Sequence, residues 1–171
     1  MIIPIQNSYD KKQEKILRAK ATPFDFSQMG KKEVGELIKN MRETMRRASG
    51  IGLAANQVGL PWNMFVAEVP SRGGSSKFYA VFNPVLEKTG GETSIMEEGC
   101  LSVPAVYGEV ERAEKVVLSF EDKNGHKQKI KAWGLLARVF QHEVDHLQGK
   151  LILDRAKKIF KEDEKHNQSK I

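Results

Sequence analysis

Residues 134–148 carry apolar side chains on two stripes of one helix, and this constrains the chain more than any other segment. Leu136, Phe140, Val144 and Leu147 recur at helical spacing on one stripe. Leu135 and Val139 line up with His142 and His146 on the other. A surface helix keeps one face for water, so a helix apolar on two sides is largely enclosed. The histidines on its second stripe therefore face a pocket or the interior. Gly149 is the expected stop.

The remaining pattern predicts one α+β domain with helices packed on antiparallel sheet. A second helix is expected over 31–49, where Val34, Leu37, Ile38, Met41 and Met45 form one stripe, Arg46 and Arg47 suit the helix dipole and Gly50 ends it. Strands are expected over 63–67 and 77–82, with a loop over 70–76 between them. Strands over 116–120 and 128–132 flank Asn124-Gly125, a pair that favours a tight hairpin turn. Residues 1–30 read as polar turns, and 50–57 as a tight connection too rich in small residues for a core strand.

At 171 residues the chain has the size of one ordinary domain, with 40% hydrophobic and 29% charged residues. No apolar run approaches the roughly 18 residues of a membrane span. The first residues match neither a secretory signal nor a transit peptide, so the protein is expected to stay where it is made. The single cysteine, Cys100, excludes an intramolecular disulfide. The net charge of +6 is spread along the chain, and mixed signs in the densest cluster argue for a solvated tail over 155–171 after a domain over 1–154.

His142 and His146 lie one turn apart on one helix face, so both imidazoles can reach one metal ion. Glu143 sits where a carboxylate can act as general base without being a ligand. Two of the four histidines fall in this frame, and a buried carboxylate beside them needs compensation. A catalytic ion usually takes three protein ligands. Downstream, Asp154, Asp163 and His166 are candidates for the third; upstream, Cys100 offers a thiolate.

Three separated motifs carry a resemblance to a known family: Gly50-Ile51-Gly52-Leu53-Ala54-Ala55-Asn56-Gln57, Glu98-Gly99-Cys100-Leu101-Ser102, and Gln141-His142-Glu143-Val144-Asp145-His146-Leu147-Gln148-Gly149. In this order and spacing the chain resembles the peptide deformylases over nearly its whole length. The resemblance implies antiparallel sheets packed around a central metal-binding helix, and removal of the formyl group from N-formylmethionyl nascent peptides. It implies Cys100, His142 and His146 as ligands of one divalent ion, Fe²⁺ by preference, with Zn²⁺, Ni²⁺ or Co²⁺ as substitutes. It makes Glu143 the general base, and the Gln57 amide and the Leu101 N–H the oxyanion donors. The peptide would pair as an added strand along Ile51, Gly52 and Gly99, and Met96, Leu135 and Val139 would wall the methionine slot. Transient ribosome contact, a monomer, a cytoplasmic location and no DNA or membrane partner complete the expectation.

Two residues depart from the commonest family pattern. Tyr107 stands where some members place an arginine, which reads as variation. Arg138 precedes His142 by one turn, where a smaller residue is more usual. Its stem is expected along the pocket wall with its charge at the mouth, favouring acidic residues further along the substrate. Asp145 either orients a group near His146 or pairs with Arg112 to fix the helix, and a structural ion pair is the expectation.

Overall fold

The computed structural model describes residues 1–71, 73–88 and 91–162. Among the described residues, three α-helices, α1 (Lys11–Leu17), α2 (Lys31–Arg47) and α3 (Gly134–Leu147), accompany eight strands. These are β1 (Gly52–Ala54), β2 (Met64–Pro70), β3 (Ser76–Lys88), β4 (Thr93–Cys100), β5 (Val103–Ala113), β6 (Lys115–Glu121), β7 (Lys127–Trp133) and β8 (Lys158–Lys161). One antiparallel sheet has the order β1-β2-β3-β6-β7 and a second the order β4-β5-β8.

The core explains the two-sided pattern of α3. On one face of the five-stranded sheet, Phe65, Ala67 and Leu118 pack against Ala137, Phe140, Val144 and Leu147 of α3. On the other, Met64, Val66 and Phe82 pack against Val34, Met41 and Met45 of α2. Successive residues of β2 thus point into different cores, and Met64 to Val69 are buried without interruption. On its remaining side α3 meets β5 of the second sheet, so the helix lies between layers.

Several expected boundaries move. Helix α2 ends at Arg47, and Ser49, not Gly50, adopts the left-handed conformation (φ 56°). The Gly50 N–H then reaches the Met45 carbonyl (2.9 Å) and the Ser49 N–H that of Arg46 (3.0 Å), which closes the last turn. Gly50 serves close approach instead, because a Cβ there would press on the Leu101 side chain. Between β6 and β7 only Gly125 has positive φ (78°), and the loop is closed by the Asp122 N–H on the His126 carbonyl (2.9 Å). The turn is therefore longer than a two-residue Asn-Gly turn, which needs both residues at positive φ.

Three sequence expectations are corrected. Residues 1–30 are not only turns: Asp10 caps α1 by accepting from the Lys12 and Gln13 N–H groups (2.8 and 3.0 Å). The 50–57 connection contains a short edge strand, β1, paired with β2. Residues 158–161 of the expected tail form β8, paired with β5. No helix among the described residues is long and apolar enough to cross a membrane.

Candidate metal centre

Cys100, His142 and His146 are brought together by two different elements. The histidines project from one face of α3. Cys100 ends β4, where the pairing with β5 shifts register between Gly99 and Cys100 and Ala105 takes a positive φ (60°). That bulge turns the chain end toward α3. The Cys100 Sγ lies 3.3 Å from His146 Nε2, which lies 3.2 Å from His142 Nε2. All three donor atoms fall within 4.8 Å of one another. Two imidazoles and a thiol converging on one point suit a borderline-soft divalent ion.

Glu143 is 3% exposed, and its Oε2 has no hydrogen-bond partner among the described residues. Burial pushes its carboxyl up to about 7, with the nearby His142 charge opposing and the Glu98 charge assisting. An unpartnered buried carboxylate beside the three donors is costly by itself and fits a site that takes a cation and a water. His146 is pushed well below the ordinary histidine value, first by burial and then by the His142 charge. Burial acts in the same direction on His142, but its hydrogen bonds with Cys100 and Glu98 outweigh it and hold the value well above the ordinary one.

Gln57 sits in the 3₁₀ turn Ala55–Val58 that follows β1. Its Oε1 accepts the Ala54 N–H (2.9 Å), so its amide nitrogen must face the site. There Nε2 lies 3.2 Å from Ser102 Oγ and 3.8 Å from Cys100 Sγ. A cleft of about 460 Å³ opens over these groups. Ile51, Gly52, Met96, Gly99, Leu101, Leu135 and Val139 all line it, as does Tyr107, whose ring lies over Gly99. The strands flanking the cleft, β1 and β4, each stand at the edge of their sheet.

Of the downstream ligand candidates, Asp154 is engaged elsewhere: it pairs with Arg18 and accepts the Leu151 N–H (2.7 Å). Asp163 and His166 lie outside the described residues. Arg112 and Asp145 do form an ion pair (2.5 Å), and Arg155 joins it at 2.7 Å. The expectation for Arg138 is overturned. Its stem lines the cleft, but its guanidinium turns inward to Glu98 (2.8 Å), and the side chain is 7% exposed. A buried carboxylate attracts the charge more strongly than the mouth does.

Sequence reasoning gave Glu98 no role. Its Oε2 meets His142 Nδ1 at 2.9 Å. Burial opposes its charge, but the bonds with His142 and Arg112 hold its carboxyl well below the usual range. Glu98 lies two residues before Cys100 in the Glu98-Gly99-Cys100-Leu101-Ser102 motif, and the bulge after Gly99 means that strand alternation alone could not place it beside His142. Ser102, fully buried, was also passed over.

A cysteine, two helix-borne histidines and a buried glutamate in an α+β fold define a centre of the metallohydrolase class. Residues 8–162 match the family model described as polypeptide deformylase. A peptide deformylase of Halothermothrix orenii is 44% identical over 147 residues, covering 86% of this chain and 91% of that one. The structure of a peptide deformylase from Synechococcus elongatus in complex with actinonin superposes with a TM-score of 0.79 at 38% identity, covering 91% of this chain and 79% of that one. That from Thermotoga maritima gives 0.79 at 34% identity, covering 92% and 99%. The chain belongs to the polypeptide deformylase family. Its activity is the metal-dependent hydrolysis of the N-formyl group from nascent polypeptides.

Proposed function

We propose that the reaction runs on Glu143, Gln57 and Leu101 around an ion, Fe²⁺ by preference, held by Cys100, His142 and His146. The observation that carries this is the convergence of the three donor atoms beside the unpartnered Glu143 Oε2. An ion held there would supply Lewis acidity and make it easier for a water at the site to lose its proton near neutral pH. Glu143 accepts that proton at Oε2 and delivers it to the leaving amine. The Gln57 Nε2 and the Leu101 N–H donate to the formyl oxygen as charge grows on it, and one such donor is typically worth about 3–4 kcal/mol. The amide suits this role because the Ala54 N–H already fixes its orientation.

The peptide enters as an added strand between β1 and β4, each the edge of its sheet, along Gly52, Gly99 and Ile51, which immediately precedes β1. Met96, Leu135 and Val139 supply the apolar wall that takes the methionine side chain. The reading extends to Zn²⁺, Ni²⁺ or Co²⁺ as substitute ions, to a monomer working in the cytoplasm, and to transient contact with the ribosome.

Formate release from formyl-Met-Ala-Ser, measured anaerobically with Fe²⁺, tests the reading. Wild type releases formate, and Cys100→Ser loses both metal and activity. No release from the wild type, or full metal retention by Cys100→Ser, sinks it.

A further inference from the structure

Arg138 makes four hydrogen bonds. Its Nη1 donates to Glu98 Oε1 (2.8 Å) and the Val110 carbonyl (3.0 Å); its Nη2 donates to the Ser94 carbonyl (2.9 Å) and Ser94 Oγ (3.1 Å). One side chain of α3 thus grips both β4 and β5. The Glu98 carboxylate is filled on every side. Oε1 also accepts from Arg112 Nε (3.0 Å), while Oε2 accepts from Arg112 Nη2 (2.9 Å) and meets His142 Nδ1 (2.9 Å). A carboxylate only accepts, so His142 Nδ1 is the donor and its Nε2 is left to bind a metal.

We infer that Arg138 is a positioning residue of the metal centre. Through Glu98 it sets the ring plane of His142, and through Ser94 it fixes the strand that ends in Cys100. This rests on the reading of Cys100, His142 and His146 as ligands. Arg138 and His142 lie one turn apart, so both reach the same carboxylate from one helix. Arg112 and Arg138 face Glu98 and Asp145, and Arg112 is shared between the two acids. Without Arg138, Oε1 keeps one donor of two and Ser94 loses its tether, so carboxylate and imidazole can both turn. Lysine offers no planar fork to span Glu98 and Ser94 together.

The test loads metal-free wild type, Arg138→Met, Arg138→Lys and Ser94→Ala with Zn²⁺ against a chromophoric chelator, and with Co²⁺ for the absorption spectrum of the thiolate site. Thermal melts of the metal-free proteins report folding separately. Groups that orient a ligand typically contribute about 10–100-fold to metal affinity. Both Arg138 variants are expected to lose about tenfold or more and to shift the Co²⁺ bands, with the KM of the loaded enzyme for formyl-Met-Ala-Ser little changed. Ser94→Ala should move the same way by less. Wild-type affinity and spectrum in Arg138→Met, with only a lower melting temperature, would make the residue merely structural and overturn the inference. Unchanged affinity with an altered preference at the second or third substrate residue would overturn it too. If Arg138→Met does not fold, Arg138→Lys and Ser94→Ala decide, and wild-type affinity in both counts against it. A wild type that binds metal through these ligands but releases no formate defeats the proposed function and leaves this inference standing.

Discussion

At Gly52 a missing side chain determines where Glu143 can stand. A Cβ there would run into the Glu143 carboxyl, while the glycine's φ lies outside the left-handed region, so the backbone itself accepts alanine. Glu143 is buried, and the added Cβ would press on its Cγ and Cδ as well as on Oε1, so the carboxyl must shift as a whole. Gly52→Ala is therefore expected to cut kcat about 100-fold, the usual cost of misplacing a reacting group by about 1 Å. Its metal content should stay at the wild-type level, and near-normal kcat would show that Glu143 relocates freely. Glu143→Gln keeps the shape and removes the proposed base. It should lower kcat/KM about 10²–10⁴-fold with metal still bound, and loss of metal instead would mark Glu143 as a ligand. At this scale the sequence was legible where chemistry is local: one turn of helix sets His142, Glu143 and His146. Arg138 was misread because its partner Glu98 is 40 residues away, and helical spacing places a stem without saying which distant carboxylate will draw the charge.

Between elements, Glu68 ties α2 to the sheet that forms one wall of the cleft. It accepts from Arg42 (2.7 and 3.2 Å), from Arg46 (2.7 and 2.7 Å) and from Ser76 (2.8 Å). Its own N–H donates to the Ile51 carbonyl (2.9 Å), which fixes the approach to β1. Hydrogen bonds from Arg46 and then Arg42 hold its carboxyl far below the ordinary 4.5, against the opposing effect of burial. A depressed native value adds stability that is present above the unfolded value and is lost as pH falls toward the native one. Glu68→Gln should therefore be destabilised at pH 7, and the gap to wild type should narrow as pH drops below about 4.5. Urea unfolding at a series of pH values measures this, and a gap independent of pH would show that Glu68 contributes through shape alone. Apolar patterns made α2, α3, β2, β3 and β6 legible, and the Asn124-Gly125 pair placed β7. By contrast α1 is mostly polar, and β4 has six of its eight residues at least partly exposed outside Glu98 and Cys100. Such an edge strand gives the periodicity nothing to register, although it carries Cys100.

The whole molecule brings its two sheets together at one point. Cys100 comes from the three-stranded sheet, and the histidines come from the helix packed on the five-stranded one. Order and spacing of the three motifs pointed to the three donor residues that the fold brings together. They could not reveal that it joins two layers, because layer packing depends on contacts distant in sequence. An ion bound across this junction adds to the folded state alone and so raises its stability. At a free ion concentration about 100 times Kd the gain is about 2.7 kcal/mol. For a chain of this size that corresponds to a rise of roughly 5–10 °C in melting temperature. Calorimetry of the chelator-treated and Zn²⁺-reloaded protein should show this rise in the wild type and lose most of it in Cys100→Ser. Equal melting temperatures with and without Zn²⁺, at full occupancy, would mean that the ion binds to one layer only or equally well to the unfolded chain, and that packing and the hydrogen bonds of Arg138, Glu98 and Arg112 hold the junction without it.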